Sequence, residues 1–158
     1  MKKIYQEIVQ AKIDNRKLLA ILLDPDKVDF DGLLLLTDKI KTSPATHIFV
    51  GGSIVETNKI DLLIQFLKDN LTIPILLFPG DPSQISTYAD GILFLSLLSG
   101  RNPVFLIDHH VKAVPKLKNT SLEIIPTGYL LIESGSQTAV ERVSQTEPLD
   151  RHKSSYVC

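Results

Sequence analysis

The chain has 158 residues, of which 44% are hydrophobic, and this size and composition predict one globular domain with a sizeable core. Seventeen basic and 18 acidic residues leave a net charge of -1, which gives no sign of the basic surface typical of proteins that bind nucleic acid or anionic membranes. No apolar stretch approaches the roughly 20 residues of a membrane-spanning helix, and the single cysteine, Cys158, predicts a reducing, cytoplasmic location.

Short apolar runs alternate with segments of helical period, which is the pattern of βαβ units and a parallel sheet. Strands are predicted near residues 18–23, 46–50, 73–77, 90–95 and 122–126. Their average spacing of about 26 residues extrapolates to roughly 210 residues for eight strands, the size of a (β/α)8 barrel. The sequence therefore predicts an α/β fold, namely a partial (β/α)8 TIM barrel of about five parallel strands with flanking helices.

Helices are predicted between these strands. Two apolar stripes are expected to cover the sheet: Phe30, Leu33, Leu34 and Ile40 in one helix, with the leucines at 33–36 in the core, and Ile60, Leu63, Ile64 and Leu67 in the next. Asp81 before Pro82 and Asn102 before Pro103 predict helix starts, because each pairs a capping side chain with proline at the first helical position. The Thr-Ala-Val-Glu segment at 138–141 predicts a capping box and a short last helix.

The segment Asp24-Pro25-Asp26-Lys27 follows the first predicted strand and places two carboxylates and an ammonium where a buried strand meets water. This arrangement suits an anionic ligand with a divalent metal. After the second strand, residues 51–53 (Gly-Gly-Ser) permit close approach of the backbone to a ligand beside a hydroxyl. Taken alone, the first segment is equally well a turn with a helix N-cap, and the second is an ordinary loop. Their repetition after successive strands favours ligand binding.

Four motifs occur in order at residues 23–27 (Leu-Asp-Pro-Asp-Lys), 50–53 (Val-Gly-Gly-Ser), 77–80 (Leu-Phe-Pro-Gly) and 125–133 (Ile-Pro-Thr-Gly-Tyr-Leu-Leu-Ile-Glu). The set resembles the geranylgeranylglyceryl phosphate synthase family over about residues 1–150. The resemblance implies a TIM-barrel prenyltransferase that joins a polyprenyl diphosphate to sn-glycerol 1-phosphate with magnesium, giving an ether-lipid precursor. It also implies peripheral membrane contact through the lipid substrate, a homo-oligomer in intact relatives, and no nucleic-acid partner.

Carried over onto this sequence, the family pattern assigns magnesium binding to Asp24 and Ser53. The chemistry agrees, since Mg²⁺ prefers hard oxygen ligands, keeps several waters and bridges to substrate phosphates. Asp26 and Lys27 then lie behind the metal or face phosphate, and Lys27 is a candidate substrate-binding residue. Leu22 stands where one branch of the family has a lysine that helps to hold glycerol phosphate, which favours the other branch.

Tyr129 is the second substrate-binding candidate, because an aromatic residue on a loop after the fifth strand faces the barrel mouth. It lines the prenyl groove or packs as part of a lid. Glu123 and Glu133 could hydrogen-bond a polyol, although solvated carboxylates are the commoner case. The pair at 109–110 (His-His) is expected on a solvated helix face rather than at a metal, because adjacent helical residues point about 100° apart. No catalytic residue is assigned.

The family's principal glycerol phosphate site lies in the loops after strands six to eight, and this sequence contains no such segments. We therefore expect a chain truncated after the fifth βα unit, inactive on its own, with an atypical, unstructured tail at 151–158. Two alternatives stay open. One is a partial barrel that binds a metal diphosphate without catalysis, and the other is a different phosphate-handling TIM-barrel enzyme, such as a sugar-phosphate isomerase relative, which the ordered motifs disfavour.

Overall fold

The computed structural model describes residues 4–52 and 57–152. The described residues do not include Ser53 or residues 153–158 of the predicted tail, among them Cys158. The predictions for these residues remain predictions. The elements in chain order are α1 (Ile4–Ile13), β1 (Ala20–Leu23), α2 (Leu33–Thr42), β2 (His47–Val50), α3 (Thr57–Asn70), β3 (Ile75–Leu77), a 3₁₀ turn (Pro82–Gln84), β4 (Gly91–Leu97), a π-helical turn (Val104–Asp108), α4 (His109–Leu117), β5 (Glu123–Tyr129) and α5 (Ala139–Ser144).

The five strands form one sheet in the order β1-β2-β3-β4-β5, and every neighbouring pair is parallel. Leu23 pairs with Val50, and Val50 pairs with Leu77, so the carboxyl ends of the first three strands lie side by side. Each strand overlaps its predicted range. The predicted α/β fold with five parallel strands and flanking helices is confirmed.

Alternate strand residues divide the apolar core between the two faces of the sheet. On one face Ile48, Ile75 and Ile92 pack in the main cluster with the α3 residues Ile60, Leu63, Ile64 and Leu67, all of which are buried. The predicted α3 stripe is therefore confirmed. On the other face Leu76, Leu93 and Ile125 form a second cluster with Ile4 of α1.

Glu123 fixes α1 beneath that second cluster. Its carboxylate accepts hydrogen bonds from the main-chain N–H groups of Ile4 (2.6 Å) and Tyr5 (3.0 Å), which suits the positive end of the helix dipole. Glu123 is the first residue of β5, so it lies at the end of the sheet opposite the carboxyl rim. The possibility that it hydrogen-bonds a polyol at the barrel mouth is wrong.

The predicted stripe of α2 is confirmed at Leu33 and Ile40, which are buried, and wrong at Leu34 and at Phe30, which precedes the helix. Leu34 and Leu35 are 65% and 62% exposed, while Thr37 is fully buried beside Leu33 and Ile40. Four consecutive leucines at 33–36 carry no periodicity, so the sequence cannot show which of them face the sheet.

The predicted helix starts are confirmed as caps. Asp81 accepts from the Ser83 N–H (2.7 Å), Asn102 accepts from the Val104 N–H (3.1 Å), and Thr138 accepts from the Glu141 N–H (3.2 Å). The element after Asp81 is a single 3₁₀ turn rather than a full helix. The residues that follow it at 85–87 are Ile, Ser and Thr, which have low helix propensity.

Within the described residues, β1 and β5 are the edge strands of the sheet, and apolar side chains on them are exposed. Leu22 is 54% exposed and Ile124 is 46% exposed. Because an open parallel edge with apolar side chains is a template for pairing, we expect the chain to self-associate in sedimentation velocity. Leu22→Lys should reduce the association. Leu62→Lys, an equally exposed site on α3, should leave it unchanged, and the opposite pattern would contradict the edge as its cause.

His47 begins β2 and is 7% exposed. Its Nδ1 lies 2.8 Å from the Thr46 hydroxyl, and its Nε2 is buried without a hydrogen-bond partner among the described residues. Burial lowers the pKa of His47 below its usual value, although the charge of Glu7 opposes this shift. The folded protein therefore favours the neutral ring.

Because the folded chain resists protonation of His47 and the unfolded chain does not, stability should be full above about pH 6.5 and fall as the pH drops below it. Each unit of pKa difference is worth about 1.4 kcal/mol. Thermal unfolding between pH 8 and pH 5 measures this slope. His47→Gln should flatten it, and His152→Gln, at an exposed turn, should not. Equal slopes in all three proteins would rule out His47 as the titrating group.

Candidate functional site

A cavity of about 570 Å³ opens at the carboxyl edge of the sheet, within the usual size range of small-molecule sites. Its walls come from the ends of the strands, from the loops after β1, β2 and β3, and from α4 and α5. Most of the lining is apolar and includes Leu22, Val28, Ile85, Leu93, Leu95, Phe105, Ala113, Val140 and Val143. The charged side chains in the lining are Asp24, Lys27 and Asp81, and two histidines stand beside them.

Asp24 and Lys27 form the polar side of the cavity next to β1. Asp24 follows the last residue of that strand, and its Oδ2 lies 2.6 Å from Lys27 Nζ. Its Oδ1 accepts the Asp26 N–H at 3.2 Å, the turn geometry expected of aspartate after a strand. The hydrogen bond and charge of Asp24 raise the pKa of Lys27. The structure thus places both predicted residues together at the cavity.

Asp26 does not join them at the cavity. Its Oδ1 lies 3.0 Å from Lys59 Nζ, so it links the β1 loop to α3. Among the described residues no group of three or more acidic, histidine or cysteine side chains is arranged to hold a metal ion. A magnesium site here would therefore draw one carboxylate from Asp24 and further oxygens from Ser53, water and substrate phosphates. A single carboxylate beside a phosphate ligand fits the way proteins usually bind Mg²⁺.

Glycines bring the ends of β2 and β3 into close contact beside Asp24. A Cβ added to Gly51 would lie 1.9 Å from the main-chain oxygen of Phe78. The Gly51 N–H donates to the Leu23 carbonyl (3.1 Å), and the Phe78 N–H donates to the Val50 carbonyl (2.8 Å). Only glycine fits at position 51, so Gly51 has a packing role in addition to the predicted approach of the backbone to a ligand.

Tyr129 lies at the cavity as predicted, but it is the last residue of β5 rather than part of a loop. Its ring meets Phe78 edge to face with centroids 5.6 Å apart, and Phe78 stacks on Phe49 at 6.0 Å. Burial raises the pKa of the Tyr129 hydroxyl. The three rings form an aromatic wall across β2, β3 and β5. Glu133, beyond this strand, is exposed.

The expectation that the histidine pair faces solvent is wrong, because both side chains line the cavity. His109 Nε2 lies 3.6 Å from Asp81 Oδ2, and its ring meets Phe105 edge to face at 4.8 Å. Burial lowers the pKa of His109, with the charge of Asp81 opposing the shift. The π-helical turn before α4 widens the helix here, and its geometry leaves no periodic signal in the sequence.

His110 connects α4 to β4. Its Nε2 lies 2.8 Å from the Leu95 carbonyl oxygen, its Nδ1 lies 3.1 Å from the Leu106 carbonyl oxygen, and its ring packs on Phe94 with centroids 4.5 Å apart. Sequence reasoning missed this role. Adjacent histidines after a strand and a proline cap are too weak a pattern to reveal it.

A model of the PcrB family matches residues 11–158 of the chain. The chain belongs to the PcrB family. It is 63% identical over 148 residues to the geranylgeranylglyceryl phosphate synthase of Flavobacterium johnsoniae, and 50% identical over 151 residues to that of Zunongwangia profunda. The resemblance inferred from the four motifs is therefore confirmed.

Two solved structures agree with the fold. The wild-type GGGPS of Thermoplasma volcanium superposes with a TM-score of 0.85 at 29% identity, covering 94% of this chain and 59% of that one. The (S)-3-O-geranylgeranylglyceryl phosphate synthase of Thermoplasma acidophilum, in complex with sn-glycerol-1-phosphate, gives 0.88 at 26% identity, covering 99% and 62%.

The chain spans 61% and 64% of the length of the two curated relatives, whose alignments cover 94% and 96% of this chain. No helix in residues 4–52 or 57–152 is long and apolar enough to cross a membrane.

Proposed function

We propose that this PcrB-family chain forms the prenyl-diphosphate-binding part of a geranylgeranylglyceryl phosphate synthase. Such an enzyme joins a polyprenyl diphosphate to sn-glycerol 1-phosphate in the cytoplasm. The observation that carries the proposal is the cavity itself, which combines a charged side at Asp24 and Lys27 with extended apolar walls. A polyprenyl diphosphate has the same division between a charged head and an apolar chain.

Asp24 and Lys27 receive the diphosphate head in this proposal. The Lys27 side chain is 81% exposed, so its ammonium has room to leave Asp24 and pair with a phosphate oxygen. Asp24 is then free to bind Mg²⁺ together with Ser53. When bound, the metal supplies positive charge that stabilises the diphosphate leaving group.

The apolar walls receive the prenyl chain. From Phe78 and Tyr129 of the aromatic wall, the lining continues past Ile85 and Phe105 to Val140 and Val143 of α5. These side chains have no hydrogen-bonding groups apart from the Tyr129 hydroxyl. An isoprenoid chain buried there would leave water without exposing unpaired polar atoms.

Transfer to glycerol phosphate is proposed to require more than these residues. The resemblance puts the principal glycerol phosphate site in later βα units, and the Thermoplasma acidophilum protein that binds sn-glycerol-1-phosphate aligns over 62% of its length. We therefore expect residues 1–158 alone to bind the prenyl donor without turnover.

Isothermal titration of the chain with geranylgeranyl diphosphate tests the proposal. Binding should be tight with magnesium chloride and much weaker with EDTA, and geranylgeraniol, which lacks the diphosphate, should compete poorly. Tight binding in both buffers would remove magnesium from the proposal. A phosphosugar that bound better than the prenyl diphosphate would favour a different phosphate-handling barrel.

A further inference from the structure

Gln84 lies in a buried contact between the loops after β2 and β3. It ends the 3₁₀ turn, and its side chain is only 2% exposed despite being polar. Its Oε1 accepts the Gly80 N–H at 3.0 Å, and its Nε2 donates to the Gly52 carbonyl at 2.9 Å. Because an N–H can only donate and a carbonyl can only accept, one orientation of the amide alone satisfies both.

The two bonds continue the connection between β2 and β3 beyond the sheet. Ladder pairing of their main chains reaches the hydrogen bond between Phe78 and Val50. Past that point Gln84 links the two chains again, from Gly52 on one side to Gly80 on the other. Both glycines line the cavity, whereas Gln84 is behind them. Gly52 immediately precedes Ser53, the proposed second oxygen ligand of magnesium.

We propose that Gln84 is a positioning residue for the magnesium and diphosphate end of the cavity. It holds the Gly52 carbonyl and the Gly80 amide at a fixed separation, and so fixes the main chain of both loops where they line the cavity beside Asp24. The inference rests on the proposed function. Gln84 touches neither the metal nor the substrate, and it acts through the backbone of the two loops.

Two variants separate this role from a purely structural one. Gln84→Met keeps the length of the side chain and removes both hydrogen bonds. Gln84→Glu keeps the acceptor for Gly80 but turns a carboxylate oxygen toward the Gly52 carbonyl, so it disturbs the Gly52 side alone. Gln65→Met is the matched control, since Gln65 is exposed on α3 and bonds only to the Asp61 carbonyl of its own helix.

Amide hydrogen exchange tests the bridge without any ligand. The Gly80 amide should be protected in the parent and in Gln84→Glu, and should exchange about tenfold faster in Gln84→Met, the change that corresponds to one lost hydrogen bond. Equal protection in Gln84→Met would overturn the bridge, whatever the chain binds.

Titration with geranylgeranyl diphosphate tests the positioning. In magnesium chloride both Gln84 variants should bind about tenfold more weakly than the parent, and in EDTA all proteins should bind alike. A lower melting temperature with unchanged magnesium-dependent affinity would reduce Gln84 to a structural residue and overturn the proposal. If the parent bound the prenyl diphosphate equally in both buffers, the positioning role of Gln84 at a magnesium site would fail. If the parent did not bind it in either buffer, the proposed function would fail as well, and in both cases the exchange result would still decide the bridge.

Discussion

Asp24→Asn is expected to lower prenyl transfer by about 100- to 1,000-fold in a chimaera that joins residues 1–150 to the unmatched part of the Flavobacterium johnsoniae relative. A magnesium ion stabilises transition-state charge by several kcal/mol, and each 1.36 kcal/mol corresponds to about tenfold in rate. Asparagine retains the oxygen that accepts the Asp26 N–H, so the turn after β1 survives while the charge is lost. Initial rates of prenylglyceryl phosphate formation measure the effect.

The fold should tolerate this substitution, because the Lys27 partner of Asp24 is 81% exposed and ion pairs open to solvent stabilise proteins little. Asp38→Asn is the matched control. Asp38 makes the same kind of i,i+3 pair with Lys41 on α2, with an Oδ1–Nζ distance of 3.3 Å, and neither residue lines the cavity. Its turnover should equal that of the parent. An Asp24→Asn rate within a few-fold of the parent would remove Asp24 from the mechanism.

The strands were predictable because their chemistry is local. Each is a short run of apolar residues bounded by turn formers, and the stripe of α3 repeats with the helical period, which fixes its buried face. Which of the four leucines at 33–36 face the core was not predictable, since consecutive leucines have no period. The position of α1 was not predictable either, because it depends on Glu123, which lies 119 residues from Ile4 in the sequence.

The residues of the candidate site differ in the same way: some were predictable from the local sequence and others were not. Asp24 and Lys27 were found because they directly follow a strand, and parallel strands bring such residues to one edge of the sheet. His109 and Gln84 were not found, because their roles depend on contacts with elements distant in sequence. Gln84 reaches Gly52 across 32 residues, and His109 faces Asp81 across the cavity wall. Side chains in such contacts carry no motif of their own.

Gly51→Ala is expected to destabilise the fold by about 3 kcal/mol or more, at the upper end of the cost of overpacking a core. The added Cβ would lie 1.9 Å from the Phe78 carbonyl oxygen and 2.6 Å from its carbonyl carbon. Both are main-chain atoms paired in the sheet, so relief requires β2 and β3 to separate. For a domain of this size the melting temperature should fall by roughly 6–12 °C in thermal unfolding followed by circular dichroism.

Gly32→Ala provides the matched comparison, because it adds the same methyl group at a half-buried glycine, the N-cap residue of α2. There the Cβ would meet the Asp29 carboxylate at 2.9 Å, and that flexible side chain can rotate away. Gly32 has a φ of -92°, which alanine adopts without strain, so the melting temperature of Gly32→Ala should stay close to the parent's.

In Gly51→Ala, separating β2 from β3 would also pull the Gly52 carbonyl away from Gln84. Gly51→Ala should therefore lose magnesium-dependent binding of the prenyl diphosphate even below its melting temperature. A Gly51→Ala protein with the stability and binding of the parent would show that β2 and β3 can shift apart at little cost in free energy.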